Sequence, residues 1–404
     1  MNFEKNKLII LAGGKGTRIK KYNKFLPKPL IRFNNIALLS HLIRQLSIFR
    51  FKEIIILASY KSNQIIKKYD KKIFNFNKIK VLIEKKPLGT WGSINLHKKK
   101  INNDFFLING DSYLNNINFS FHKLKDLKNN IINMMLTNNH QYYENKKLNN
   151  LYINKEKKII IKKKSNYINS GIYFISKKIF NNTNLKNYSS LENDIIPFFI
   201  NKKKVNGIIN TNKLIDIGTP KSLRKAKIEI PFLLRRPAVF LDRDGVINYD
   251  YGYVHKIENF KFKKGVLKTL QYLTKLNYYI FIVTNQAGIA KGIFTEKDFL
   301  KLHLNLKSFF LKKKIFIHDV KYCPFHKDAK IKEYKKNTNF RKPGNLMIKE
   351  IFKDWIINKK KSFMIGDKST DEIAAKKSGL YYEYSGNNLF KQVEKIVKKK
   401  FNNY

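Results

Sequence analysis

Short, almost continuously apolar runs punctuate this chain at intervals. Leu8–Ala12, Glu53–Ala58 and Phe105–Ile108 read as strands buried on both faces, the third continuing into Asn109-Gly110-Asp111. Between the first two, Ala37–Phe49 places Leu38, Leu39, Leu42, Ile43, Leu46 and Phe49 along one side, predicting an amphipathic helix. Leu214–Pro220 holds another short run, ending in Asp216. The pattern restarts at Ala238–Leu241, Tyr279–Val283 and Ser362–Ile365. Strands alternating with helices predict α/β architecture with parallel sheets and ligands at the carboxyl ends of the strands. Between the two series lies Ile228–Pro237, with two prolines and a charge pair. It sets the expected domains at 1–229 and 238–404, with 230–237 as linker. No internal repeat is evident, and the second series is long enough for a small α/β core without a large separate cap.

Composition changes this picture little, except in charge. The chain has 404 residues, with 83 Lys+Arg against 29 Asp+Glu and a net charge of +54. All but nine of the 83 are lysine, spread throughout and interleaved with Asn, Ile, Phe and Tyr. That is a compositional bias rather than a basic stripe, so no nucleic-acid partner is expected, although the field favours anionic substrates. The single cysteine, Cys323, rules out an internal disulfide and fits a reducing cytoplasm. No apolar run reaches the ~18 residues of a membrane span, so no membrane association is expected and the location expected is cytoplasmic.

The candidate chemistry begins where the first strand, ending in Leu11 and Ala12, meets Gly13-Gly14-Lys15-Gly16-Thr17-Arg18. Three glycines in four positions let backbone N–H groups converge on phosphate oxygens, and Arg18 adds a forked donor. Pro27-Lys28-Pro29-Leu30 follows. LAGGKGTR with PKPL resembles the signature of sugar-phosphate nucleotidyltransferases. The resemblance implies a Rossmann-like domain with a mixed, mostly parallel sheet. It also implies attack of a sugar 1-phosphate on the α-phosphorus of a nucleoside triphosphate, with loss of pyrophosphate. Arg18 and Lys28 would then be catalytic, and Leu11, Ala12, Gly13, Gly14, Gly16 and Thr17 would bind nucleotide. The stretch Glu84–Gly92 resembles the base- and sugar-contacting segment, adding Glu84, Gly89 and Thr90, with Trp91 where a small residue is usual. Its bulk either narrows the sugar site or packs on the sheet. Asp111 and Asp216 match the Mg²⁺ ligands. Asn169, Gly171, Glu192 and Lys164, the last in a Lys162-Lys163-Lys164 run where the family commonly has Glu-Lys, are the sugar-site candidates. A carboxylate at Glu84 can accept from both N1–H and the 2-amino group of guanine but would repel N1 of adenine, so GTP is the expected nucleotide.

The second series opens with Asp242-Arg243-Asp244-Gly245-Val246-Ile247-Asn248 directly after its first strand, and Gly252-Tyr253-Val254-His255 follows. Asp-x-Asp-Gly resembles the opening motif of haloacid dehalogenase (HAD)-type phosphohydrolases, and the longer match the heptose-bisphosphate phosphatases among them. The resemblance implies a Rossmannoid parallel sheet. Asp242 would be the nucleophile that becomes an aspartyl phosphate, and Asp244 the general acid and base. Thr284 would hold the phosphoryl group, and Lys342 would offset negative charge. Asp242, Asp244 and Asp367 would hold Mg²⁺, with Asp371 in support. His255, Asn285 and Arg341 are the substrate candidates. Those phosphatases often carry a zinc held by three cysteines and a histidine. Here only Cys323 and His326 are present in that loop, too few for a closed tetrahedral site, so no structural zinc is expected.

Together the resemblances imply an enzyme of two consecutive steps. Removal of the C7 phosphate of heptose 1,7-bisphosphate would give heptose 1-phosphate, and nucleotidyl transfer would then give GDP-D-glycero-α-D-manno-heptose for surface polysaccharide. Alternatives are another nucleotide sugar, such as ADP-heptose, or a histidinol-phosphate phosphatase specificity. A non-enzymatic alternative is a basic nucleic-acid binder with relic motifs, against which intact Asp242, Asp244, Lys342 and Asp367 argue. Oligomeric state is not legible.

Overall fold

The computed structural model describes residues 3–22, 25–127, 130–138, 151–162, 165, 167–181 and 188–401. The chain divides into two compact α/β units, Met1–Phe232 and Leu233–Tyr404.

The first unit is built on an eight-stranded mixed sheet. Its strands are β1 (Lys7–Leu11), β2 (Glu53–Ala58), β3 (Ile73–Phe74), β4 (Asn77–Ile83), β5 (Phe105–Asn109), β6 (Ile132–Thr137), β7 (Ile168–Ile175) and β8 (Val205–Asn210). Their order is β8-β6-β7-β5-β1-β2-β4-β3. The centre, from β5 through β1 and β2 to β4, is parallel. β1, β2 and β5 are almost wholly apolar and buried, as strands covered on both faces are, whereas β4 alternates, with Lys78 and Lys80 exposed. β7 runs antiparallel to β5 and β6, and its pairing with β6 is irregular between Asn169 and Tyr173. The predicted amphipathic helix is present as α1, Leu38–Leu46, with Leu38, Leu39, Leu42, Ile43 and Leu46 buried.

Leu214–Asp216 leaves this sheet and pairs antiparallel with Ser112–Leu114. The register sets Asp216 opposite Ser112, and the Ile217 N–H donates to the Asp111 carbonyl at 3.3 Å. Two carboxylates about a hundred residues apart in sequence thus arrive side by side at the carboxyl end of β5.

The expected linker takes another form. Helix α2 (Pro220–Leu234) runs through most of 230–237, with Pro231 inside it. Helical turns before the proline are set by packing, since Leu223, Ala226 and Ile230 are buried. That burial outweighs a single lost backbone donor.

The second unit is an all-parallel sheet of β9 (Ala238–Leu241), β10 (Tyr279–Asn285), β11 (Asp319–Cys323), β12 (Phe363–Gly366) and β13 (Tyr381–Tyr384). Their order is β11-β10-β9-β12-β13. β9 lies at the centre, so the loop leaving its carboxyl end has β10 on one side and β12 on the other. That position gathers side chains from three loops at one point.

Candidate active sites

In the first unit a cleft of about 810 Å³ opens at the carboxyl ends of β1 and β5. The glycine turn supplies Gly13, Gly14, Lys15 and Arg18, and Lys28, Glu84, Gly89 and Thr90 form further walls. Asp111, Glu192 and Asp216 complete the acidic side. Lys28 is buried in a short 3₁₀ turn that its neighbouring prolines favour. Its Nζ lies 2.6 Å from Asp111 Oδ2 and 3.8 Å from Asp216 Oδ1. Burial works against the Asp111 charge, but the Lys28 ammonium overrides it and holds the carboxyl below the usual range. Asp216 is pushed the other way, up to about 6, by burial, with Lys28 opposing and the Asp111 charge adding to the rise. Two carboxylates converging on one cation fit a hard divalent ion that takes one or two carboxylates plus phosphate oxygens.

Glu84 is buried at the cleft wall, and burial raises its pKa against hydrogen bonds from the Leu88 backbone, Ser93 and Ser59. Among the described residues its Oε2 has no hydrogen-bond partner. Thr90 Oγ1 donates to Glu192 Oε2 at 2.7 Å and accepts from the Leu191 N–H at 2.7 Å, which ties the Glu84–Gly92 segment to the 190s loop.

In the second unit the Asp242 carboxylate sits at the tip of β9. Its Oδ1 accepts from the Arg243 N–H at 2.7 Å, and its Oδ2 lies 2.9 Å from Lys342 Nζ. The same ammonium lies 2.5 Å from Asp371 Oδ1 and donates to the Val283 carbonyl at 2.8 Å. Burial pushes the Asp242 carboxyl up to about 7, with Lys342 pulling down and Asp371 and Asp244 adding to the rise. Burial also opposes the Lys342 charge, but Asp242 and Asp371 overcome it and hold the ammonium above the ordinary lysine value. Carboxylate oxygens of Asp242, Asp367 and Asp371 all lie within 4.8 Å of one another. Asp367 Oδ1 is buried without a hydrogen-bond partner among the described residues. An all-oxygen cluster with an unsatisfied ligand atom fits Mg²⁺.

Gly245 makes this geometry possible. Its φ is +78°, and an added Cβ would overlap the Asp367 carboxylate. Gly245→Ala is therefore expected to destabilise this unit by about 1–2 kcal/mol through the left-handed backbone alone. It should lower phosphate release further, because Asp367 must move. Thermal unfolding and turnover measured on the same preparation separate the two effects.

Most sequence-predicted residues meet in these two places, and several take roles the sequence does not indicate. Asp244 stays out of the carboxylate trio, where Asp371 stands instead. Its Oδ1 accepts from Arg243 and from Asn248 Nδ2 (2.9 Å), and its Oδ2 from Arg243 Nη2 (2.8 Å) and Gln286 Nε2 (3.0 Å). Asn285 spends both ends of its amide on the Lys342 backbone, donating to the carbonyl and accepting from the N–H at 3.0 Å each. It therefore positions Lys342. Asn169 is buried, donates to the Tyr173 hydroxyl at 2.6 Å and accepts from the Gly171 N–H. Gly171, at φ +74°, leaves room for Asn109, which does line the cleft and which sequence reading passed over. A polar residue ending an apolar strand just before Gly-Asp was the available signal.

Trp91 packs in the core, stacked on Phe180 at 5.6 Å, and leaves the cleft untouched. Ala12 is buried, its N–H bonded to the Leu57 carbonyl, and Gly16 and Thr17 lead into the 3₁₀ turn Thr17–Tyr22. His255 stacks on Phe294 at 4.9 Å, and Arg341 donates to the Phe325 carbonyl at 3.4 Å. Lys164 lies outside the described residues. Cys323 is buried with its thiol on the Phe325 carbonyl, and His326 Nδ1 accepts from the Asp328 N–H.

Comparison with known proteins agrees with this division. A family model described as nucleotidyl transferase matches residues 7–231, and one described as polynucleotide kinase 3 phosphatase matches residues 242–398. The D-glycero-β-D-manno-heptose-1,7-bisphosphate 7-phosphatase of Rhodopseudomonas palustris is 37% identical over 164 residues, covering 40% of this chain and 91% of that protein. The protein of the same name from Photorhabdus laumondii is 45% identical over 139 residues, covering 34% of this chain and 74% of that protein. Among solved structures, HddC from Yersinia pseudotuberculosis aligns at 28% identity with a TM-score of 0.46, over 56% of this chain and 99% of that one.

Fold and sites thus define an enzyme of two phosphotransfer domains, a nucleotidyltransferase followed by a HAD-type phosphatase. The chain belongs to the nucleotidyl transferase family through residues 7–231 and, through its C-terminal unit, to the family of the D-glycero-β-D-manno-heptose-1,7-bisphosphate 7-phosphatases. Among the described residues, no helix is long and apolar enough to cross a membrane.

Proposed function

We propose that the second unit removes the C7 phosphate of D-glycero-D-manno-heptose 1,7-bisphosphate and that the first unit transfers GMP from GTP to the resulting heptose 1-phosphate. The observation that carries this reading is the buried Lys342 ammonium between Asp242 and Asp371, in a chain whose C-terminal relatives are named for that phosphatase activity. Asp242 attacks phosphorus and forms an aspartyl phosphate while the C7 oxygen leaves, and Asp244 protonates that oxygen. Water then cleaves the acyl phosphate, and Asp244 takes its proton. Lys342 offsets repulsion between nucleophile and phosphate, and the Thr284 hydroxyl donates to a phosphoryl oxygen. Asp242 and Asp367 would hold Mg²⁺, which supplies charge neutralisation at the phosphoryl oxygens.

In the first unit no covalent intermediate is needed. The glycine turn, Arg18 and Lys28 orient the triphosphate and neutralise charge as pyrophosphate departs, and Asp111 and Asp216 would hold the cation. The orphaned Glu84 oxygen supports guanine, which brings two donors to a buried acceptor that adenine would leave unpaired. Wild-type protein is expected to prefer GTP, and Glu84→Gln to shrink the GTP-to-ATP ratio of kcat/KM by about 10- to 100-fold. A wild-type preference for ATP would refute the nucleotide assignment.

The test of the whole reading offers both anomers of the bisphosphate with GTP and Mg²⁺ and follows phosphate and pyrophosphate separately. Phosphate release followed by pyrophosphate release, with GDP-heptose as product, is the expected result. Pyrophosphate without prior phosphate, or neither, would overturn it.

A further inference from the structure

Gln286 follows the strand that carries Thr284, is buried, and takes no part in the reaction as described so far. Its side-chain nitrogen makes two hydrogen bonds, one to Asp244 Oδ2 at 3.0 Å and one to Thr284 Oγ1 at 2.9 Å. The identity of that nitrogen is fixed by its first partner. Asp244 Oδ2, which also accepts from Arg243 Nη2, accepts here too, so the amide face turned to Asp244 is the NH₂ and not the carbonyl. One NH₂ group has two hydrogens, and here each has its own acceptor.

Two consequences follow for the groups it touches. The Thr284 oxygen already accepts a hydrogen bond, which leaves its own O–H to donate elsewhere, as a phosphoryl oxygen requires. The Asp244 carboxylate is held by Gln286 as well as by Arg243, whose guanidinium is itself fixed on the Val254 carbonyl at 2.7 Å. The proton-transfer group and the phosphate-holding hydroxyl are thereby set at a constant separation by a single side chain.

We propose that Gln286 is a positioning residue that aligns Asp244 with the leaving oxygen and orients the Thr284 hydroxyl towards the phosphoryl group. The assignment rests on the roles of Asp244 and Thr284 given under the proposed function.

Loss of the Asp244 contact has a kinetic signature that general loosening of the site lacks. Departure of the sugar oxygen needs a proton from Asp244, whereas p-nitrophenolate leaves without one. A displaced Asp244 therefore slows the first reaction far more than the second, while simple loosening of the site slows both alike. Formation of the aspartyl phosphate is measured in single turnovers with heptose 1,7-bisphosphate and with p-nitrophenyl phosphate. The proteins compared are wild type, Gln286→Met and Asp242→Asn. Gln286→Met keeps the volume and removes both donors. It is expected to slow the bisphosphate reaction about 100-fold and the aryl phosphate reaction at most about tenfold, with KM for each within about threefold. Should Gln286→Met fail to fold by thermal unfolding, Gln286→Glu carries the same comparison with the same expected split. Equal losses on the two substrates, or no loss, in a protein whose turnover depends on Asp242 overturn the Gln286 assignment alone. A wild-type protein inert to the bisphosphate, or an equally active Asp242→Asn, removes the reaction itself and overturns both readings.

Discussion

Asp242→Asn is expected to lower phosphate release from heptose 1,7-bisphosphate by on the order of 10⁴-fold or more, the scale seen when a covalent nucleophile is lost. Pyrophosphate release from GTP and heptose 1-phosphate should stay within about twofold of wild type. The size of the first effect follows from the site's construction. An amide cannot form the acyl phosphate, and it also removes one of the two anions that hold Lys342. Asp371 remains at 2.5 Å from that ammonium, so the buried charge keeps a partner and the unit should stay folded. The second effect follows from separation, because the glycine turn, Lys28, Asp111 and Asp216 all belong to Met1–Phe232. Release of both products, assayed on one preparation with heptose 1-phosphate supplied directly for the second, checks both halves. A parallel loss of pyrophosphate release would mean the units do not act independently.

What could be read from the sequence depended on how each residue exerts its effect. Strands buried on both faces were legible because burial demands an unbroken apolar run, and β1, β2, β5, β9, β10 and β12 all fall where such runs occur. Carboxylates at strand tips were legible too, since Asp242 directly follows such a run, Asp367 a glycine ending one, and Asp111 the Asn-Gly pair after one. Side-chain direction was not. Asn285 and Gln286 are adjacent, yet one turns to the Lys342 backbone and the other to Asp244. Nothing in the letters Thr-Asn-Gln separates those outcomes. Arg243 stood between the two motif aspartates and was given no role, yet its side chain is fully buried on Asp244. Trp91 left two readings open in the sequence, a narrowed sugar site or packing on the sheet. The helix Gly89–Leu96 turns it into the core, where Phe180 receives it, which is the packing alternative. The division between units falls within the expected linker, but much of that stretch is helical: prolines signal a break only when tertiary packing does not outweigh them, and Leu223, Ala226 and Ile230 supply that packing.

Lys28→Met is the corresponding test of the first unit, with an expected loss of about 10²- to 10³-fold in pyrophosphate release and none in phosphate release. The ammonium is the common partner of Asp111 and Asp216, 2.6 and 3.8 Å away. Without it, Asp111 loses the charge that overrides its burial, and two neighbouring carboxylates are left side by side on the acidic wall of the cleft. A divalent cation relieves that repulsion and no longer competes with an ammonium for the same carboxylates, so the variant should reach half-maximal rate at less Mg²⁺ than wild type does. A lysine acting only on the triphosphate would lower the rate at every Mg²⁺ concentration without moving that midpoint. Asp111→Asn separates these cases further. It removes a cation ligand while leaving Lys28 paired with Asp216, so its midpoint should rise and its rate should partly recover at high Mg²⁺. If neither variant shifts the midpoint, Asp111 and Lys28 do not share a cation site, and the acidic wall of the cleft has some other role than metal binding.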